Sequence, residues 1–107
     1  MTVSGLLEHG FREVVIADGE REINGAYMGD LLSWVMGRAK ADCAWITIMS
    51  NLNVVAVASL ADTACVILTE GVELPEDVKA AAETRDVNVL ATDLPSYEAA
   101  VLLSQLI

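Results

Sequence analysis

Three short apolar runs, Ala44–Met49, Cys65–Thr69 and Val87–Ala91, are separated by segments long enough to hold a helix each. Runs of this length that end in polar or glycine-containing residues have the pattern of central parallel strands, buried on both faces. Parallel neighbours need a crossover of about a dozen residues, and that need decides how the intervening chain is read. Between the second and third runs a helix is marked at both ends. Pro75 stands at its first position, Glu76 and Asp77 in its first turn, Val78, Ala81 and Ala82 inward, and Arg85 at its end. Asn53–Leu60 is rich in valine, which favours a strand by propensity. The crossover requirement selects a short helix there instead.

The remaining segments extend this pattern. Thr2–His9 reads as a short helix with Leu6 and Leu7 inward and Gly10 as its stop, Arg12–Ile16 as a strand, and Asp18-Gly19 as a turn. Met28, Leu31, Leu32, Val35, Met36 and Ala39 fall at helical spacing, which predicts one helix over that stretch. Asp30 then sits in its first turn and Arg38 and Lys40 near its end, both favourable to the helix dipole. A last helix is expected over Ser96–Leu106. With right-handed crossovers the chain is an α/β fold, a mostly parallel sheet of about four or five strands flanked by helices. Its 107 residues fit a single domain spanning residues 1–107.

Charge and composition exclude several functions. Sixteen acidic residues against six basic ones give a net charge of −10. Nucleic acid and anionic membrane surfaces both reward clustered Lys and Arg, so neither is an expected partner. The apolar fraction is 54%, yet no run approaches the ~18–20 residues that span a bilayer. The start of the chain lacks the basic-then-apolar pattern of a signal peptide, and a cytoplasmic location is expected. Cys43 and Cys65 are too few and too far apart for a disulfide framework or a zinc site, and read as reduced thiols in the core. No metal site is expected.

Catalytic chemistry finds no foothold. His9 is the single histidine and reads as a surface group at a helix end. No Gly-x-x-x-x-Gly-Lys-Ser/Thr loop is present, and no nucleophile or acid–base pair is recognisable. The expectation is a protein that is not an enzyme and carries no cofactor.

Two groups of residues are candidates for binding. Ser50, Asn51, Thr69, Glu70 and Thr92 each follow a predicted strand, and open parallel sheets bind ligands beyond the carboxyl ends of their strands. Ordinary turns and helix caps use the same residue types. Gly25 and Gly29 precede or open the predicted helix, where free N–H groups bind anions, although Asp30 can cap such groups itself. Tyr27 and Trp34, seven residues apart, share a helix face in this reading. The last helix has a similar apolar excess: Ala99, Leu102, Leu103 and Leu106 form a stripe that Ala100 and Val101 widen. Surplus apolar surface with aromatic residues predicts a homodimer.

The segment Glu20-Arg21-Glu22-Ile23-Asn24-Gly25-Ala26 resembles the Asp-Arg-x-x-Thr-Gly-Gly stretch that names the DRTGG domain family. The likeness continues through Tyr27-Met28-Gly29-Asp30-Leu31-Leu32-Ser33, Trp45–Ile48, Asn53–Leu60 and Ile67–Gly71. Only Arg21 and Gly25 keep the family residues in the first segment, where Glu20, Asn24 and Ala26 depart. The resemblance implies a fold like the amino-terminal domain of HPr kinase/phosphorylase, with catalysis residing in other domains of such proteins. It also implies a regulatory or scaffolding module, accessory to a hydrogenase or signalling system and open to a protein partner. A sensor binding a nucleotide or other small molecule at the strands' carboxyl ends, with Arg21 and Asp30 among its candidates, is the competing expectation.

Overall fold

A computed structural model describes residues 1–107 and places five strands in one sheet. In chain order they are β1 (Arg12–Val15), β2 (Ala26–Met28), β3 (Ala44–Thr47), β4 (Cys65–Leu68) and β5 (Val89–Ala91). Helices α1 (Leu32–Arg38), α2 (Leu52–Ala61) and α3 (Glu76–Thr84) connect β2 to β5, and α4 (Ser96–Leu106) follows. The spatial order is β1-β5-β4-β3-β2, with β2 to β5 parallel and β1 antiparallel to β5. The mostly parallel sheet, the three central strands and the helical reading of α2 all stand. Burial of Val54, Val55, Val57 and Ala58 against the sheet overrides the strand propensity of the valines.

Alternation along the strands divides the core into two layers. Trp45, Val66, Leu68, Val89 and Ala91 meet Val35 of α1, the valines of α2, and Val78 and Ala82 of α3. Ala44, Ile46, Cys65, Ile67 and Leu90 face the other way, toward Val3, Leu6, Phe11, Ile23 and Leu103 of α4. Each full burial of a Val, Ile or Leu contributes roughly 1.5–3 kcal/mol. The sheet is the shared wall of both layers.

The first third of the chain corrects three expectations. Ser4–His9 is a 3₁₀ helix, and Thr2 lies outside it in an isolated bridge to Glu22. Met28 belongs to β2, so the helix expected from Met28 is only the seven residues of α1. Of its apolar positions only Val35 is fully buried, while Met28, Leu31, Trp34 and Met36 are exposed. The helical spacing ran through a strand end and a turn at Gly29-Asp30. Tyr27 and Trp34 therefore share no helix face: Tyr27 is a half-buried strand residue and Trp34 an exposed helical one.

Asn88 was not singled out by the sequence, yet it ties the fold together. Its Oδ1 accepts from the Ala17 and Asp18 amides at 2.7 and 2.9 Å, and its Nδ2 donates to the Asp18 and Ala64 carbonyls at 2.9 Å each. The side chain is almost fully buried and has every bond it can make. Asn88→Ala would strand four backbone groups, at about 1–3 kcal/mol for each that stays dry. The expected loss is roughly 3 kcal/mol, read as a lower urea midpoint with an unchanged slope.

Candidate functional site

The carboxyl ends of β3, β4 and β5 gather the polar residues that follow the strands, and the side chains of Asn51, Thr69, Glu70 and Thr92 each hold a hydrogen bond to a nearby loop or helix start. Thr69 Oγ1 lies 2.6 Å from Ser96 Oγ, and the Ser96 amide donates to Glu70 Oε2 at 2.6 Å. Glu70 adopts a left-handed conformation, φ 62°, and its amide donates to the Leu94 carbonyl. Thr92 Oγ1 accepts from the Leu94 amide, and Asn51 accepts from the Asn53 amide as the cap of α2. Ser50 sits in the loop just before that cap. These are the contacts of turns and caps, and together they fasten the start of α4 to the end of β4.

Asp30 joins the same end of the sheet. It precedes α1 rather than lying in its first turn, and the residue at the helix's cap position is Leu31. Its Oδ1 accepts from Thr47 Oγ1 at 2.8 Å and from the Ile48 amide at 3.0 Å. The expected capping role is thereby corrected: once Met28 is a strand residue, the carboxylate reaches β3 instead. Gly29 has no idle backbone group for an anion. Its amide donates to Ile46 and its carbonyl accepts from Trp45 Nε1. A Cβ at Gly29 would stand 3.1 Å from Tyr27 Cε2, so ring packing explains the glycine.

Arg21 lies at the opposite end of the strands. Its Nε and Nη2 donate to Asp42 Oδ1 at 3.0 and 2.9 Å, and Nη2 also donates to Asp62 Oδ1 and the Asp62 carbonyl. Partial burial works against its charge, but the hydrogen bonds and charges of Asp62 and Asp42 outweigh it and raise its pKa. Asp42, Asp62 and Asp86, which lead into β3, β4 and β5, are all left-handed, with φ 66°, 56° and 57°. An Asp a few residues ahead of each strand was visible in the sequence; its use was not.

Three clefts remain on the surface. One of about 300 Å³ lies between the start of β2 and the end of α1, lined by Asn24, Gly25, Ala26, Tyr27, Arg38, Lys40 and Cys43. Another of about 260 Å³ follows the β1 edge past Arg12, Glu13, Glu73, Glu76 and Lys79. The third, of about 80 Å³, lies beside Arg21, Asp62, Thr63, Arg85 and Asp86. No group of three or more His, Cys, Asp and Glu side chains is arranged to hold a metal. No helix is long and apolar enough to cross a membrane.

Layered as helices on both faces of a mostly parallel sheet, the chain falls in the three-layer α/β class. The DRTGG domain model matches residues 29–106, and the chain belongs to that family. No curated protein matches. Among solved structures it is similar to the CBS and DRTGG regulatory region of a Clostridium perfringens pyrophosphatase, complexed with the activator diadenosine tetraphosphate. The TM-score is 0.77 at 13% identity over 97% of this chain and 46% of that one. The chain thus spans less than half of that neighbour, and the likeness concerns the fold.

Both cysteines are free and buried. Burial pushes the Cys65 thiol up to about 12, and burial also raises Cys43. A thiol raised in the folded state keeps its proton after the unfolded chain has lost it. The stability it contributes is whole below the ordinary value of 9.0 and is lost as pH rises toward about 12. Its slope approaches ~1.4 kcal/mol per pH unit. Stability curves measured from pH 8 to 11 should fall less steeply for Cys65→Ala than for the parent chain.

Proposed function

We propose that this chain is a non-catalytic regulatory module that associates with a second copy of itself along the open edge of β2 and the adjoining side of α1. The observation that carries this reading is the contrast between the two edges of the sheet. The β1 edge shows the exposed charges of Arg12 and Glu13, which discourage strand addition. The β2 edge is Ala26-Tyr27-Met28, without a charge.

Pairing geometry leaves that edge ready for a partner strand. The Ala44 amide donates to Gly25 and the Gly29 amide to Ile46, so odd positions of β2 face β3. By the alternation of a parallel ladder, the N–H and C=O groups of Ala26 and Met28 point outward. Beside them Met28, Leu31 and Trp34 are each about half exposed. From Ile23 to Gly37 the only charged residue is Asp30, and its carboxylate is turned onto Thr47 and Ile48. In a chain of net charge −10, two copies meet at least cost where neither carries carboxylates. An edge strand is also self-complementary under a two-fold axis, as the commonest dimers require.

A regulatory role draws support from the family and from the pyrophosphatase region, where this fold stands beside CBS domains in a region that takes an activator. The family resemblance favours service to a hydrogenase or a signalling system. A sensor ligand at the carboxyl ends of the strands would have to displace the Thr69–Ser96 and Glu70–Ser96 bonds, which weakens that alternative.

The test is sedimentation across micromolar to submillimolar protein. The expected result is a mass rising from 11.4 kDa toward twice that value. Trp34→Ala and Met28→Glu should each weaken association by about tenfold or more, as aromatic and apolar anchors do. Invariance at 11.4 kDa, or a dimer indifferent to both changes, would overturn the reading.

A further inference from the structure

The cleft at the start of β2 differs from the others in its charge. The β1-edge cleft mixes Arg12 and Lys79 with Glu13, Glu73 and Glu76, and the smallest one sets Asp62 and Asp86 beside its arginines. The cleft between β2 and α1 has Arg38 and Lys40 and no acid at all. In a chain with sixteen acids and six bases, that is an unusual concentration of unopposed cations. Arg12 and Arg21 are spent on Asp93, Asp42 and Asp62. Neither Arg38 nor Lys40 forms an ion pair.

Gly25 supplies a second observation. It lines this cleft, its φ is not in the left-handed region, and a Cβ built on it would meet nothing within 4 Å. Neither backbone conformation nor packing calls for glycine there, although glycine costs conformational entropy. What the missing side chain leaves is open room on the cleft wall. The plain explanation of the cations, that they complement the carboxyl end of α1, accounts for their sign. So does the stacking of Arg38 on Trp34 at 3.9 Å. Neither accounts for a wall free of acids or for Gly25.

We propose that this cleft binds a small phosphate-bearing anion, with Arg38 and Lys40 neutralising a phosphate dianion beside Gly25. Asn24 brings a side-chain amide to the same cleft as a hydrogen-bond donor. The volume of about 300 Å³ matches the lower end of small-ligand sites, ~300–1,000 Å³. Burial raises the Cys43 thiol and favours its neutral form, and the neighbouring Asp42 carboxylate is paired with Arg21. The proposal goes beyond self-association and does not depend on it, because one copy supplies every lining residue. Ala26 belongs to both surfaces, so binding is measured on dilute protein, with the oligomeric state followed in parallel.

Calorimetric titration with inorganic phosphate, adenosine monophosphate and glutarate tests it. Saturable binding of one or both phosphates, tighter than glutarate, is expected. Arg38→Gln and Lys40→Gln should each lower affinity about tenfold, whereas Lys79→Gln, outside the cleft, should leave it unchanged. Gly25→Val should abolish binding while the melting midpoint of the free protein holds. A preference for adenosine monophosphate would make the ligand an organic phosphate, and equal binding of inorganic phosphate would make it the free ion. Absence of saturable binding at millimolar phosphate, glutarate binding as tightly as either phosphate, or affinity indifferent to Arg38→Gln and Gly25→Val would each overturn the proposal.

Discussion

Strands buried on both faces must have their backbone groups paired within the sheet, so the turns that feed them must set their register, and the amino-terminal side of β3, β4 and β5 is built around that constraint. Each approach passes through an aspartate in the left-handed conformation, at Asp42, Asp62 and Asp86. Non-glycine residues rarely take that conformation, and aspartate takes it more readily than most. Arg21 binds the first two of these turns together. Asn88 supplies the four hydrogen bonds that hold the β1–β2 connection against the start of β4 and β5. Misplacing any of these turns would shift a strand whose neighbours are packed on both sides.

Once that end is fixed, the opposite end and the two edges are free to differ. The carboxyl ends are closed by side-chain hydrogen bonds, with Thr69 and Glu70 holding the start of α4 and Asp30 holding the end of β3. The β1 edge is guarded by charge and the β2 edge is bare. Unspent binding capacity therefore collects around β2 and α1, where apolar side chains, outward backbone groups and two unpaired cations lie close together.

The sequence made the central sheet legible because parallel strands buried on both faces leave compact apolar runs, and because crossover length decided the ambiguous valine-rich segment in favour of α2. It misled where two periods overlapped. Met28, Leu31, Leu32 and Val35 satisfy helical spacing, but Gly29-Asp30 breaks the chain between a strand and a short helix. The exposure of Met28 and Leu31 was invisible, since an apolar residue at a sheet edge reads like one in a core. Of the candidate site residues, those after the strands are where the pattern placed them, yet their partners are internal. Arg21, Asp42 and Asp62 lie far apart in sequence, and only the folded sheet brings them within hydrogen-bonding distance. Asn88 carried one clue, an amide between two valines of a buried run.

Amide hydrogen exchange along β2, followed as protein concentration rises, addresses the central claim that this edge is the working surface. Tyr27 faces β3 and should be protected at every concentration. Ala26 and Met28 point away from the sheet and should exchange quickly in dilute solution, then gain protection together as copies associate. Fast exchange of both amides at all concentrations, or protection that appears at β1 instead, would contradict the account.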